Sequence, residues 1–172
     1  ICMFYKTSRD LAEILVPYFK AGLENNEYCV WVCWEPLPRE KAIIEISKEI
    51  GNVEDYISKG QIEIADFIQG YDRHSKSGFH EMVGFWADKE NLAFEKGFEG
   101  LRLAGNCAWL EGEQWQDFMR YEVEVDEVIR RHKMLAICPY SLEKSSPSDV
   151  LDVMSSHRFA LIRKGSEWQI IR

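Results

Sequence analysis

A seven-residue apolar run at residues 28–34 (YCVWVCW) constrains the fold of this chain more than any other feature. Apolar and polar residues do not alternate in this run, which therefore predicts a strand that is buried on both faces. Such strands are typical of parallel sheets that carry helices on both sides. The run thus predicts an α/β fold with a mostly parallel sheet.

Further strands and helices are predicted to alternate along the chain. Apolar runs bounded by turn residues predict strands at Cys2–Tyr5, 61–67, Leu101–Gly105 and 134–138, and a terminal hairpin formed by 157–163 and Glu167–Ile171. Segments with helical periodicity lie between these strands. Because strands that alternate with helices form βαβ units, the sequence predicts a three-layer sandwich with a RecA-like, mostly parallel central sheet.

Two helix starts carry capping signals. Thr7 and Asp10 have the spacing of a capping box, and Ser146 and Asp149 repeat that spacing around a proline at the first helical position. Pro17 lies within the first helical pattern and is expected to kink that helix, because its ring clashes with the preceding turn. These signals predict helices directly after the first and fifth strands.

Length, charge and cysteine content limit the classes of protein to consider. A chain of 172 residues, 46% of them apolar, is expected to form a single domain over residues 1–172. Its net charge of −8 argues against direct contact with nucleic acid. No apolar run reaches the roughly 20 residues of a membrane span, and no signal peptide is expected. Cysteines placed in apolar runs predict a reducing, cytoplasmic location.

Residues at the carboxyl ends of the predicted strands form the candidate binding site, because ligands of open α/β sheets bind beyond those ends. The candidates are Tyr5, Cys33, Trp34, Glu35, Asn106, Trp109, Cys138 and Tyr140. The two tryptophans and Tyr140 would form walls, and the cysteines, Glu35 and Asn106 would orient a small organic molecule. Core packing is the alternative for each aromatic residue alone. The long polar loop at residues 69–78 is expected to act as a lid.

A nucleotide cofactor is not predicted, because the first strand is not followed by a glycine-rich phosphate loop. Residues 4–8 (FYKTS) contain Lys6-Thr7, which resembles the end of such a loop, but lack the glycines whose backbone wraps phosphates. After the fourth strand, Gly105 and Asn106 occupy the place where a magnesium-binding Asp would be expected.

Nucleophilic catalysis is not predicted either. Cys107 follows a strand, a position where a thiolate can be stabilised, but Glu111 and Glu113 come soon after it. Their negative charges would raise the pKa of the Cys107 thiol rather than lower it. The chain is therefore not expected to be an enzyme.

The four histidines do not predict a metal site. His74 and His80 are six residues apart, a spacing that matches no standard zinc signature. His132 is interpreted as a cation at a helix end and His157 as a strand-edge residue. No metal ligand and no cofactor are therefore predicted.

Several stretches match a known family of sensory domains in their order and spacing. They are residues 2–5 (CMFY), 16–23 (VPYFKAGL), 28–37 (YCVWVCWEPL), 60–64 (GQIEI), 101–105 (LRLAG), 109–110 (WL), 117–118 (DF), 121–122 (YE), 151–153 (LDV) and 157–161 (HRFAL). On these residues, the chain resembles the MEDS domain of methanogens, methylotrophs and the dichloromethane regulator. The resemblance covers nearly the whole chain.

This resemblance implies a sensory role within a larger signalling protein. Members of the family resemble degenerate relatives of the RecA and KaiC ATPases, and they occur beside PAS, GAF, histidine-kinase or DNA-binding domains. The implied ligand is a small hydrocarbon or methylated derivative, and the implied output is regulation of the fused domain. Since the chain begins with Ile1 rather than Met, we expect it to be a segment of such a protein.

Two other functions stay open at this point. One is a weak RecA-like nucleotide-binding ATPase, and the other is a protein–protein adaptor without a ligand. An edge strand or Trp168 would offer a surface for a homodimer. No contact with a membrane is expected.

Overall fold

Strands and helices alternate along the chain, as the sequence predicts. The computed structural model describes residues 1–66, 79–107 and 114–172, and only the backbone of residues 79–81. Its strands are β1 (Cys2–Tyr5), β2 (Tyr28–Cys33), β3 (Ile62–Asp66), β4 (Leu101–Gly105), β5 (Met134–Ser141), β6 (Ala160–Lys164) and β7 (Glu167–Ile171). Its helices are α1 (Ser8–Glu24), α2 (Arg39–Ile50), α3 (Val53–Ser58), α4 (Phe79–Glu95), α5 (Trp115–Ile129) and α6 (Pro147–Ser156).

The strands form one sheet in the order β3-β2-β4-β5-β1-β6-β7. All neighbouring pairs are parallel except β6 and β7, which form the antiparallel terminal hairpin. The mostly parallel sheet and the hairpin are therefore confirmed. As in other parallel sheets, the carboxyl ends of the first six strands lie along one edge.

Strand β5 is longer than the sequence predicts and continues through Pro139 to Ser141. The predicted strand ended at Cys138 because proline is disfavoured inside a sheet. Pairing of β5 with β4 ends at Ile137, whereas pairing with β1 continues to Ser141. Pro139 is tolerated because this part of β5 has a strand partner on one side only.

Helices cover both faces of the sheet and create two cores. On one face, Trp31 of β2 stacks on Phe19 of α1 with ring centres 4.8 Å apart, and α2 and α3 complete the layer. On the other face, α4, α5 and α6 pack on side chains that include Val30 and Phe118. Val30 and Trp31 are adjacent in β2 and point to opposite cores. The three-layer sandwich is therefore confirmed.

The predicted helix starts are also confirmed, since both capping boxes form at Thr7 and Ser146. Helix α1 continues through Pro17 to Glu24, so the proline does not end it. Pro17 is exposed, so water can bind the carbonyl group that lacks a helical partner there.

Some predictions fall on residues outside the described ranges. They concern the lid at residues 69–78, Trp109, His74 and the acidic residues Glu111 and Glu113. Among the helices of the described ranges, none is both long enough and apolar enough to span a membrane.

Candidate functional site

Four of the candidate residues meet at the carboxyl ends of β1, β2 and β4. The hydroxyl group of Tyr5 donates a hydrogen bond of 3.1 Å to Asn106 Oδ1. The amide group of Asn106 in turn donates to the backbone carbonyls of Trp34, at 3.5 Å, and Glu35, at 3.3 Å. Tyr5 and Asn106 are 1% and 6% exposed, so this network ties together three strand ends and leaves little polar surface for a ligand.

The protonation state of Tyr5 fits this structural role. Burial raises the pKa of Tyr5 to about 12, although the hydrogen bond from Tyr5 to Asn106 works in the opposite direction. Tyr5 is therefore a neutral hydrogen-bond donor at physiological pH.

Cys33 lies on the same face of the sheet but is not part of the network. Its thiol is buried, with the Trp31 carbonyl 3.9 Å away. Burial raises the pKa of Cys33, and the negative charge of Asp66 raises it further. Cys33 is therefore a neutral thiol with little nucleophilic character.

Cys138 and Tyr140 lie on the opposite face of the sheet, so the sheet separates them from Tyr5 and Cys33. The hydroxyl group of Tyr140 is buried close to the Cys107 thiol. Burial, followed by the charge of Glu122, raises the pKa of Cys107 well above its usual value. The pKa of Cys107 is therefore raised, as the sequence predicts, but burial rather than nearby negative charge is the main cause.

A buried contact between a carboxylate and an imidazole on this second face was not predicted from the sequence. Glu122 of α5 and His157, directly after α6, approach to 2.9 Å between Oε2 and Nε2. Their side chains are only 4% and 6% exposed. Ring nitrogen Nδ1 of His157 lies 2.9 Å from the Val153 carbonyl, to which it can donate a hydrogen bond. His157 is therefore a buried, partnered residue and not the strand-edge residue that the sequence predicted.

Cys138 of β5 completes a group of three potential ligands. The Cys138 sulfur, a Glu122 carboxylate oxygen and a His157 ring nitrogen all lie within 4.8 Å of one another. Burial raises the pKa of the Cys138 thiol well above its usual value, and the charge of Glu122 adds to this shift. Carboxylate, imidazole and thiol thus converge from three separate elements.

A cavity of about 370 Å³ lies beside this group. Glu122, Cys138 and His157 line it together with Asp126 and Arg130, which pair with each other. Most of the other lining side chains are apolar, among them Val125, Ile129, Met134, Ala136 and Phe159. An apolar pocket with a few convergent polar groups is the usual form of a small-molecule site.

A larger groove of about 650 Å³ lies between α1 and α2. Charged side chains, among them Arg9, Glu13, Lys41 and Glu45, line much of it. It is therefore less suited to an apolar molecule than the cavity beside Glu122.

The sequence does contain a signal for Glu122. Phe118 and Val125 lie four residues before it and three residues after it, so all three occupy the buried face of α5. A carboxylate on an apolar helix face needs a partner. His132, which the sequence predicts to be a helix-end cation, also contacts a carboxylate, that of Glu90.

Comparisons with known proteins agree on the family and the fold. The sequence model of one family, described as the MEthanogen/methylotroph, DcmR Sensory domain (MEDS), matches residues 1–158. The chain is 24% identical over 161 residues to the transcriptional repressor DcmR of Methylorubrum extorquens. That match covers 91% of this chain and 57% of the repressor, so the chain spans little more than half of this relative.

Solved structures of low sequence identity share the fold. A KaiC-like protein from Pyrococcus horikoshii superimposes with a TM-score of 0.59 at 14% identity. The flagellar accessory protein FlaH from Methanocaldococcus jannaschii superimposes with a TM-score of 0.60 at 10% identity. Each match covers 98% of this chain and 74% of the other chain, which supports the RecA-like architecture.

Proposed function

Since this chain belongs to the MEDS family of sensory domains, we propose that it senses a small organic molecule for a transcription regulator. The similarity to a transcriptional repressor supports the regulatory role. Because the chain spans 57% of that repressor, the DNA-binding, PAS, GAF or histidine-kinase partner is proposed to lie outside it. Five free cysteines fit the reducing cytoplasm in which transcription regulators act.

The cavity between α5 and β5 is the proposed binding site. The observation that carries this proposal is an apolar cavity of about 370 Å³ that is lined by the polar group of Glu122, Cys138 and His157. Its volume suits a small ligand, and its walls favour apolar groups over phosphates. A hydrocarbon derivative with one polar or reactive substituent would match this combination.

Residues around the cavity connect it to the terminal hairpin. His157 and Phe159 line the cavity, and β6 begins directly after them at Ala160. A ligand that binds more tightly when this segment occupies one of two positions would shift the equilibrium towards that position. The hairpin would move with the segment. We propose that this shift is the signal that the regulator reads.

A cavity-filling substitution tests the position of the ligand. Ala136→Leu should weaken binding of a small halogenated or methylated compound by roughly tenfold or more, because its added carbons occupy the cavity. Trp34→Phe, at the strand ends, is the matched control and should leave the affinity unchanged. A panel of such compounds, titrated while the melting temperature is followed, measures both variants.

The other outcomes of this titration have distinct meanings. An affinity that falls with Trp34→Phe and not with Ala136→Leu would place the ligand at the strand ends. A wild-type protein that responds to no compound would favour the adaptor function.

The start of α1 opposes the alternative function, nucleotide binding. In a phosphate loop, free backbone N–H groups at this position bind the phosphates. Here the carboxylate of Asp10 accepts those donors, from Lys6 at 3.0 Å and from Thr7 at 2.9 Å. Arg163 pairs with the same carboxylate at 2.8 Å. A negative charge already occupies the place where a phosphate would bind.

ATP with magnesium should therefore leave the melting temperature unchanged. A ligand at about 100 times its Kd stabilises a folded protein by about 2.7 kcal/mol, an effect that a thermal melt detects readily. Saturable stabilisation by millimolar ATP would restore the nucleotide hypothesis, whereas a flat response would contradict it.

A further inference from the structure

We propose that Glu122, Cys138 and His157 bind a divalent transition-metal ion, which we take to be zinc. The site comes from three elements, because Glu122 lies in α5, Cys138 in β5 and His157 after α6. Their ligand atoms lie within 4.8 Å of one another. The proposal goes beyond the sensory function, since metal binding does not depend on which organic molecule is sensed.

The hydrogen bonds of His157 prepare one nitrogen for a cation. Nδ1 lies 2.9 Å from the Val153 carbonyl and 3.1 Å from the Ser156 hydroxyl oxygen. The Ser156 hydroxyl itself donates to the Val153 carbonyl, so both neighbours present acceptors to Nδ1. The proton of a neutral ring is therefore held on Nδ1, which leaves the lone pair of Nε2 directed at the Glu122 carboxylate.

A lone pair and a carboxylate oxygen repel each other at 2.9 Å unless a cation lies between them. A second ring proton can serve as that cation, and so can a metal ion. A metal-bound histidine usually donates its other ring N–H to a carboxylate, a backbone carbonyl or water, and Nδ1 of His157 lies 2.9 Å from such a carbonyl, that of Val153. The Cys138 sulfur lies within 4.8 Å of both partners, and a metal ion, unlike a proton, would use it as a third ligand.

The donor set suits zinc in type and in charge. Zinc binds imidazole nitrogen, thiolate sulfur and carboxylate oxygen in four-coordinate sites. The Glu122 carboxylate and the Cys138 thiolate would together balance the charge of a divalent ion, so the buried site would be neutral. Loading would release the proton of the Cys138 thiol, because a thiol binds zinc as the thiolate.

The distances require only small movements. Bond lengths of about 2.0 to 2.3 Å place neighbouring ligand atoms of a tetrahedral zinc roughly 3.3 to 3.8 Å apart. The Glu122–His157 separation of 2.9 Å would widen slightly, and the thiol lies within reach. Three protein ligands leave a fourth position for water or for an organic ligand, as in zinc sites that react with small molecules.

Zinc titration of the intact protein that carries this chain tests the proposal. After a chelator has removed bound metal ions, the protein should bind zinc with high affinity. One equivalent of this zinc should require Glu122, Cys138 and His157. Glu122→Gln, Cys138→Ser and His157→Gln should each weaken that equivalent by roughly 100-fold or more. Loss of an outer-shell partner alone costs about 10- to 100-fold. His132→Gln is the matched control, because His132 pairs with Glu90 but belongs to no three-ligand group in the described ranges.

Cobalt substitution gives a second readout, which reports directly on the thiolate ligand. Cobalt bound at this site should show a thiolate-to-metal charge-transfer band that Cys138→Ser abolishes and Cys33→Ser keeps. A band whose intensity falls when zinc is added supports the proposal. A wild-type protein that binds no more zinc than Cys138→Ser does, or that binds cobalt without a thiolate band, would overturn it.

Discussion

His157→Leu should lower the free energy of unfolding by about 3 to 5 kcal/mol when it is measured in the presence of a chelator. The substitution leaves the carboxylate of Glu122, which is 4% exposed, without the partner that it has in the structure. A buried charge that loses its partner keeps the full cost of desolvation. Urea denaturation followed by tryptophan fluorescence measures the change.

The double variant Glu122→Leu/His157→Leu should recover most of this loss and lie within about 1 kcal/mol of the wild type. Replacing a buried ion pair by apolar residues of similar volume is often neutral or stabilising. His132→Leu is the control and should cost less than His157→Leu. His132 is 34% exposed, and its partner Glu90 keeps a hydrogen bond of 2.6 Å from the backbone N–H of Lys133.

A stable double variant would show that folding does not require the Glu122–His157 pair. That result would agree with a role of the pair in the proposed cavity and metal site. A double variant as unstable as His157→Leu would instead mean that the shapes of these side chains hold α5 and α6 on the sheet.

The fold was predictable because its signals are local. The apolar run that became β2, the capping boxes at Thr7 and Ser146 and the turn before β7 each act over a few residues. The end of β5 was not predictable in this way. Pro139 can continue the strand because the pairing of β5 with β4 has already ended at Ile137. Where that pairing ends is determined only by the assembled sheet.

The cavity group was missed because its members are distant in sequence. Glu122 and His157 are separated by a loop, a strand and a helix, and their contact depends on how α5 and α6 pack on the sheet. The sequence placed the site by the general rule for strand ends, which considers position along a strand but not which face a side chain occupies. Tyr5 and Tyr140 satisfy this rule equally, yet they lie in different cores.

A second substitution with a large expected effect concerns Arg102, a charged residue in the interior strand β4. Arg102→Met should lower the free energy of unfolding by about 3 kcal/mol. The side chain is 9% exposed, and its Nε forms an ion pair with Glu27, which is 19% exposed. The guanidinium group also donates to the Tyr18 carbonyl at 3.2 Å and lies 4.7 Å from the centre of the Tyr18 ring. Methionine keeps the apolar stem but leaves Glu27 unpaired.

Two further variants separate the ion pair from other causes. Arg120→Met removes a pair with Asp117 whose side chains are 77% and 67% exposed, and it should change stability by less than about 0.5 kcal/mol.

Gly22→Ala would place a methyl group 2.6 Å from Arg102 Cδ, so it should destabilise the protein by displacing the Arg102 side chain. Combined with Arg102→Met, Gly22→Ala should cost less than the sum of the two, because the close contact with Arg102 Nε is gone and the flexible methionine end can move, although the contact with Cys29 Sγ at 2.8 Å remains. Strict additivity would show that Gly22 and Arg102 act independently, and that the ion pair does not govern how α1 packs on β4.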